Sequence, residues 1–131
     1  MMTKQDHIKY WIATAEKDWE VVRFLIGGNK FMYALFLAHL TIEKLAKALW
    51  VKNNVNNDPP KIHNIASILK RANVEISEEQ RIFFLQMNDF HLEGRYPDFR
   101  DILYKTYDKI KTEEILDNVL ISKQWLLNKL Q

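Results

Sequence analysis

The sequence predicts an all-α fold, an antiparallel up-and-down bundle of about five helices with a four-helix-bundle core. Apolar residues recur at steps of three and four along most of the chain, and no stretch has the pattern of a strand. Glycine and proline number only 3 each among 131 residues, too few for a many-turned β fold. This length suits one domain with a buried core, so we expect residues 1–131 to form a single helical domain.

The composition excludes several classes of protein. An apolar fraction of 47% argues against disorder, and the absence of cysteine excludes disulfides, thiolate metal sites and a cysteine nucleophile. A net charge of +2 is too small for a protein that coats nucleic acid through a bulk positive field. The longest apolar run, 33–38, is too short to span a bilayer, and no signal peptide is visible. We therefore expect a cytoplasmic protein that does not enter the membrane.

The first predicted helix runs from about Gln5 to Ile26. The Gly-Gly-Asn sequence at 27–29 predicts its end, with a glycine expected to supply the left-handed residue that follows a helix. One apolar stripe with helical spacing predicts the buried face. It consists of Ile8, Ile12, Ala15, Trp19, Val22 and Ile26.

The second predicted helix, residues 31–52, is apolar on nearly all sides, which predicts a central position in the bundle. Its few polar residues are therefore informative. His39, Glu43 and Lys47 follow one another at steps of four, and Lys44 lies beside them. On a solvated face Glu43 and Lys47 would form an ordinary helix-surface ion pair without a function. On a buried face their charges need further partners.

Two shorter helices are predicted next. Asn, Asp and Pro make 53–60 a loop, and helices are expected over about 62–72 and 78–91. Ser77 and Gln80 have the spacing of a capping box at the start of the second of them.

The sequence of the last forty residues predicts an irregular or short-helical segment, 92–111, followed by a last helix, 113–130, with Thr112 as its N-cap. Ile121 and Trp125 point away from the expected buried face, which suggests a dimer interface. Alternatively, 92–111 covers both within one chain. The expected buried face consists of Ile115, Leu116, Val119, Leu120, Leu126, Leu127 and Leu130.

The sequence Gly-Arg-Tyr-Pro-Asp, residues 94–98, interrupts the helices. We expect this turn to fold back on the second helix, so that Arg95 meets Glu43 and Asp98 meets Lys44 or Lys47. Two interpretations remain open. The contacts form a purely structural network, or they line a cleft where the cations bind phosphate and Tyr96 offers a hydrogen bond or a stacking face.

Histidine spacing predicts no metal site. None of the four histidines lies four residues from another, and neither a phosphate-binding glycine loop nor a serine nucleophile elbow is present. We therefore expect no metal and no cofactor. The histidines are His7, His39, His63 and His91.

Four segments together resemble the HEPN domain family. They are 11–25 (WIATAEKDWEVVRFL), 38–50 (AHLTIEKLAKALW), 61–72 (KIHNIASILKRA) and 94–98 (GRYPD). The third departs from the family pattern, with Lys-Ile in place of a threonine-rich start and Asn64 in place of an aspartate.

The resemblance implies a prokaryotic five-helix bundle, usually a homodimer, which acts with a minimal nucleotidyltransferase, often as toxin and antitoxin. It implies a nucleotide or RNA phosphate as ligand, with supporting roles for His39 and His63. The family positions for this ligand are matched by Glu43, Lys44, Lys47, Arg95, Tyr96 and Asp98.

Many HEPN proteins are metal-independent RNases with an Arg-(x4–6)-His motif, and no arginine of this chain has a histidine at that spacing. His91 precedes Arg95 instead. We therefore expect a binding module rather than an enzyme. An RNase toxin that uses Arg95 with His91 or His63 is the first alternative, and a non-catalytic structural partner protein is the second.

Overall fold

The computed structural model describes residues 1–131 and contains six α-helices, one 3-10 helix and no strand. The predicted all-α bundle is confirmed, with one helix more than expected. No helix combines the length and the apolar character that crossing a membrane requires. The elements are α1 (Lys4–Gly27), α2 (Phe31–Asn53), α3 (Ile65–Arg71), α4 (Glu78–Met87), the 3-10 helix (Asn88–Phe90), α5 (Pro97–Thr106) and α6 (Lys109–Leu130).

Helix α2 lies at the centre, as its apolar composition predicts. It contacts α1, α3, α5, α6 and the 3-10 helix, so its side chains are buried on several sides. Burial of this apolar surface is the main favourable contribution to folding. The largest fully buried side chains are Leu35, Ile42, Leu45, Leu49, Ile65, Ile68, Leu69, Phe84, Met87, Phe90, Leu92 and Leu126.

Two lysines show the directions of the long helices. Lys4 Nζ donates to the carbonyl oxygens of Val51 and Asn54, each at 2.7 Å, so α1 begins where α2 ends and the two are antiparallel. Lys52 Nζ donates to the carbonyl oxygen of Lys129 at 2.7 Å, so α6 ends where α2 ends. These bonds also satisfy carbonyl groups near helix ends that lack helical partners.

The end of α1 corrects one expectation. Neither Gly27 nor Gly28 has a positive φ, and the left-handed residue is Asn29, with a φ of 59°. Asparagine is the residue that most readily replaces glycine there, since its short polar side chain tolerates this conformation. The predicted role of glycine is therefore wrong.

The caps of α3 and α4 explain where these helices begin. The predicted capping box of Ser77 and Gln80 is confirmed. Helix α3 begins at Ile65 rather than near residue 62, because the Asn64 side chain accepts a hydrogen bond from the third backbone N–H after it, at 3.0 Å.

The segment 92–111, expected to be irregular or short-helical, contains the short helix α5 and the start of α6. Pro97 is the first residue of α5, a position where its missing N–H costs nothing. Asp108 caps α6 by accepting from the N–H of Lys111 at 2.9 Å. The prediction of Thr112 as the N-cap is therefore wrong, since Thr112 is buried inside the helix. Leu120, expected in the buried face, is 50% exposed.

Candidate functional site

The polar residues of α2 are buried, as a central helix requires. Glu43 is 4% exposed and Lys47 is 7% exposed. Lys47 Nζ donates to Glu43 Oε2 at 3.1 Å, one helical turn away. This is a buried ion pair rather than a surface pair, so removing one partner would leave an uncompensated charge.

The second oxygen of Glu43 holds a histidine from the loop before α3. His63 Nδ1 lies 3.0 Å from Glu43 Oε1. Because a carboxylate oxygen accepts, Nδ1 carries the hydrogen, and Nε2 is then the basic nitrogen of the neutral ring. The His63 side chain is 47% exposed, so a base oriented by a carboxylate lies at the surface.

His39 is fully buried beside the same carboxylate. Its Nε2 lies 3.1 Å from the backbone carbonyl oxygen of His63, which only accepts, so Nε2 carries the hydrogen. Burial lowers the pKa of His39 to about 4, so the ring is neutral at pH 7. Its Nδ1 then carries a lone pair instead of a hydrogen. This nitrogen lies 3.8 Å from Glu43 Oε1 and is buried without a hydrogen-bond partner.

His91 completes a cluster of three histidines. Its ring stacks on His63 with centroids 4.0 Å apart and meets the His39 ring edge-on at 5.4 Å. Burial lowers the pKa of His91, and the neighbouring His63 lowers it further. His91 Nδ1 is also buried without a partner. We call His39, Glu43, His63 and His91 the histidine–glutamate cluster.

Arg95 does not meet Glu43, and that expectation is wrong. Its Nε donates to the carbonyl oxygen of His91 at 3.3 Å, and its guanidinium lies 4.4 Å from the centre of the Phe99 ring. Because α5 starts immediately after residue 96, Phe99 comes within reach and holds Arg95 outside the bundle. Both oxygens of the Glu43 carboxylate already have partners, Lys47 and His63.

The expected contact of Asp98 with Lys44 or Lys47 is also wrong. Lys44 Nζ lies 2.6 Å from the carboxylate of Asp18 on α1. Asp98 is exposed in the first turn of α5, where the helix dipole favours a carboxylate. Tyr96, the residue before α5, is 82% exposed. Of the predicted ligand-binding residues, the structure thus brings Glu43 and Lys47 together and leaves Arg95, Tyr96 and Asp98 near α5.

Arg95 instead lines an open groove, a cavity of about 410 Å³. Tyr33 and Tyr104 are 48% and 72% exposed, so both phenol rings are accessible beside two guanidinium groups. This combination can hold a phosphate through arginine and a base through an aromatic face. We call it the arginine–tyrosine groove. It is lined by Met32, Tyr33, Arg95, Pro97, Arg100, Asp101 and Tyr104.

Ile121 and Trp125 differ in exposure. Ile121 is 68% exposed, so residues 92–111 do not cover it, and it lines a surface pocket together with Phe83 of α4. Trp125 is half-buried, with the Lys129 ammonium 4.9 Å from its ring centre. Of the two residues predicted for a dimer interface, Ile121 is therefore the one with a largely exposed apolar side chain.

One comparison with known proteins gives a match. The family model of the HEPN domain matches residues 8–128, nearly the whole chain. No curated protein and no solved structure matches. The matched range includes both the histidine–glutamate cluster and the arginine–tyrosine groove.

Proposed function

Because the chain belongs to the HEPN domain family, we propose that it is a module that binds the phosphate of a nucleotide or of RNA. The observation that carries this proposal is the arginine–tyrosine groove, in which two arginines and two exposed tyrosine rings line one cavity. The groove replaces the site expected on α2, because Lys44 and Lys47 already have carboxylate partners.

The contacts of Arg95 support this role. One face of its guanidinium lies on Phe99 and Nε donates to a backbone carbonyl, which leaves the two terminal nitrogens for a ligand. A guanidinium held in this way loses little side-chain freedom when it binds a phosphate in two-point fashion. Tyr33 and Tyr104 then offer flat faces for a base.

The test measures binding directly by fluorescence anisotropy, with a labelled single-stranded RNA and separately with a labelled adenine nucleotide. Arg95→Ala should weaken binding of the true ligand at least about tenfold, since a charge-assisted two-point contact is lost. Arg81→Ala is the matched control, because Arg81 is an exposed arginine paired with Glu78 outside the groove. Equal affinities of wild type and Arg95→Ala for both ligands would refute the proposal.

Metal-independent RNA cleavage is a second candidate, favoured by the contact between His63 and Glu43. A histidine oriented through Nδ1 by a carboxylate, with Nε2 free, has the arrangement of a general base. The His91 ring stacks on His63, and its backbone carbonyl accepts a hydrogen bond from Arg95 Nε. Cleavage of single-stranded RNA in excess chelator that His63→Gln abolishes and His7→Gln leaves unchanged would support this candidate. No cleavage by the folded wild type would remove it for that RNA.

For partners, we propose a homodimer that uses Ile121 with Trp125 at its edge, and a minimal nucleotidyltransferase as second component in a toxin–antitoxin pair. The homodimer is supported by the exposure of Ile121, and the nucleotidyltransferase partner by membership of the family.

A cytoplasmic location fits a chain without cysteine. If neither nucleotide, RNA nor cleavage is found, a non-catalytic structural partner protein is the remaining interpretation.

A further inference from the structure

The interior of the histidine–glutamate cluster has an unusual electrostatic arrangement. His39 Nδ1 lies 3.8 Å from Glu43 Oε1 and is buried without a hydrogen-bond partner. Both atoms are hydrogen-bond acceptors, since His39 carries its hydrogen on Nε2. Two acceptor atoms this close together in a buried place are unfavourable unless an electron-poor species lies near both.

A third ligand atom lies in the same place. One ring nitrogen of His91 and one ligand atom each of His39 and Glu43 all lie within 4.8 Å of one another. His91 Nδ1, like His39 Nδ1, is buried without a hydrogen-bond partner. The cluster thus combines two imidazoles and one carboxylate from two separate parts of the chain, a donor set that suits zinc and other divalent transition metals.

The surrounding contacts hold these donors in place. The bond from His39 Nε2 to the carbonyl of His63 fixes the His39 ring. Lys47 holds Glu43 Oε2, and Oε1, which accepts from His63 Nδ1, keeps a second lone pair for a metal. Metal-binding histidines usually donate their other N–H to an oxygen in this way. Lys47 also offsets part of the negative charge of Glu43, so the affinity has to be measured over a wide range of metal concentration.

The distances fit a metal after a small movement. Ligand atoms around a tetrahedral zinc ion with bonds of about 2.1 Å lie about 3.4 Å apart. His39 and Glu43, at 3.8 Å, are close to this value. A ring nitrogen of His91 lies within 4.8 Å of both atoms, so an inward movement of His91 would complete the set. His91 follows the 3-10 helix in a connecting segment, where its Nδ1 has no hydrogen bond to lose.

We propose that His39, Glu43 and His91 bind one divalent transition-metal ion, with a water as the fourth ligand of a tetrahedral site. The ion would join α2 to the segment after the 3-10 helix. This proposal goes beyond the proposed binding of nucleotide or RNA and does not depend on it, since the arginine–tyrosine groove contains none of the three ligands.

The experiment titrates metal-free protein with Zn²⁺ alone, by calorimetry, and with Co²⁺, followed by its visible absorption. We expect one ion per chain, the intense visible bands of tetrahedral Co²⁺ and a higher melting temperature with Zn²⁺. Glu43→Gln and His91→Gln should each weaken Zn²⁺ binding at least about tenfold, the lower end of the loss seen for supporting residues of metal sites. Circular dichroism establishes that each variant is folded.

Two matched controls separate this site from others. His7→Gln removes the histidine outside the cluster, and Glu93→Gln removes a carboxylate that could join His63 and His91 in a different, more exposed site. Both should bind Zn²⁺ as the wild type does. Loss of binding in Glu93→Gln but not in Glu43→Gln would overturn the proposal, as would the absence of binding by the folded wild type.

Discussion

His63 donates from Nδ1 to Oε1 of Glu43 across 3.0 Å and so links the loop before α3 to the middle of α2. The same carboxylate accepts a hydrogen bond from Lys47 through its other oxygen, so one buried glutamate accepts from two side-chain donors. Its two partners come from sequence positions four and twenty residues away. Glu43 is therefore a tertiary contact point of the bundle as well as part of the candidate site.

The first prediction concerns Glu43. We expect Glu43→Leu to lower the free energy of unfolding by about 3 kcal/mol, because the Lys47 charge would stay buried without a partner. Urea unfolding at pH 7 measures this change. The double variant Glu43→Leu/Lys47→Met should recover most of the loss, since no unpaired charge remains. A double variant less stable than the single variant would contradict this account.

The second prediction compares two positions of α6. Asp108→Ala should cost about 1 kcal/mol of stability, because the N–H of Lys111 loses its acceptor. Thr112→Val should leave stability unchanged or raise it by about 1 kcal/mol, because the Thr112 hydroxyl is buried without a partner. Thermal unfolding of both variants decides the matter. A larger loss in Thr112→Val than in Asp108→Ala would favour the cap expected from the sequence.

The third prediction concerns pH. The backbone N–H of Thr3 donates to the Asp6 carboxylate at 2.9 Å and lowers the pKa of Asp6 below its usual value. A carboxyl group with a lower pKa in the folded state stabilises the protein above its unfolded pKa, and this contribution is lost as the pH falls through the folded pKa. We expect the stability difference between wild type and Asp6→Ala to shrink as the pH falls below about 4. A difference that stays constant from pH 7 to pH 3 would contradict it.

The fourth prediction tests the dimer. Ile121→Lys should shift the protein towards monomer at a given concentration, because burying an unpaired ammonium in an interface is unfavourable. Light scattering coupled to gel filtration measures the mass of wild type and variant. Ile102→Lys is the control, since Ile102 is a similarly exposed isoleucine on α5. A variant mass equal to that of the wild type, whether monomer or dimer, would exclude Ile121 from an interface.

The helices could be predicted from sequence where their signals are local. The stripe of α1 and the apolar character of α2 depend on spacing within one segment, as does the capping box at Ser77. The predicted start of α6 is wrong because Asp108 and Thr112 are both residue types that cap helices well. Only the burial of Thr112 inside the helix distinguishes them.

The candidate site could be predicted only in part. The four-residue spacing of polar residues on α2 identified Glu43 and Lys47. Their burial could be expected because the rest of α2 is apolar on nearly all sides. The meeting of His39, His63 and His91 has no sequence signal, because the three histidines lie on segments that tertiary packing brings together. The predicted pairing of Arg95 with Glu43 is wrong because Pro97 starts a helix, and this helix places the Phe99 ring against the Arg95 guanidinium.

The two lysine contacts at the end of α2 have a practical consequence. Lys4 and Lys52 hold the first residues of α1 and the last residues of α6 at that end. Tyr33, in the arginine–tyrosine groove, lies eighteen residues earlier on α2 than Val51, about 27 Å along the helix. A fluorophore or a surface tether attached to either terminus would therefore project away from the groove, so immobilised protein should keep this surface open to solution.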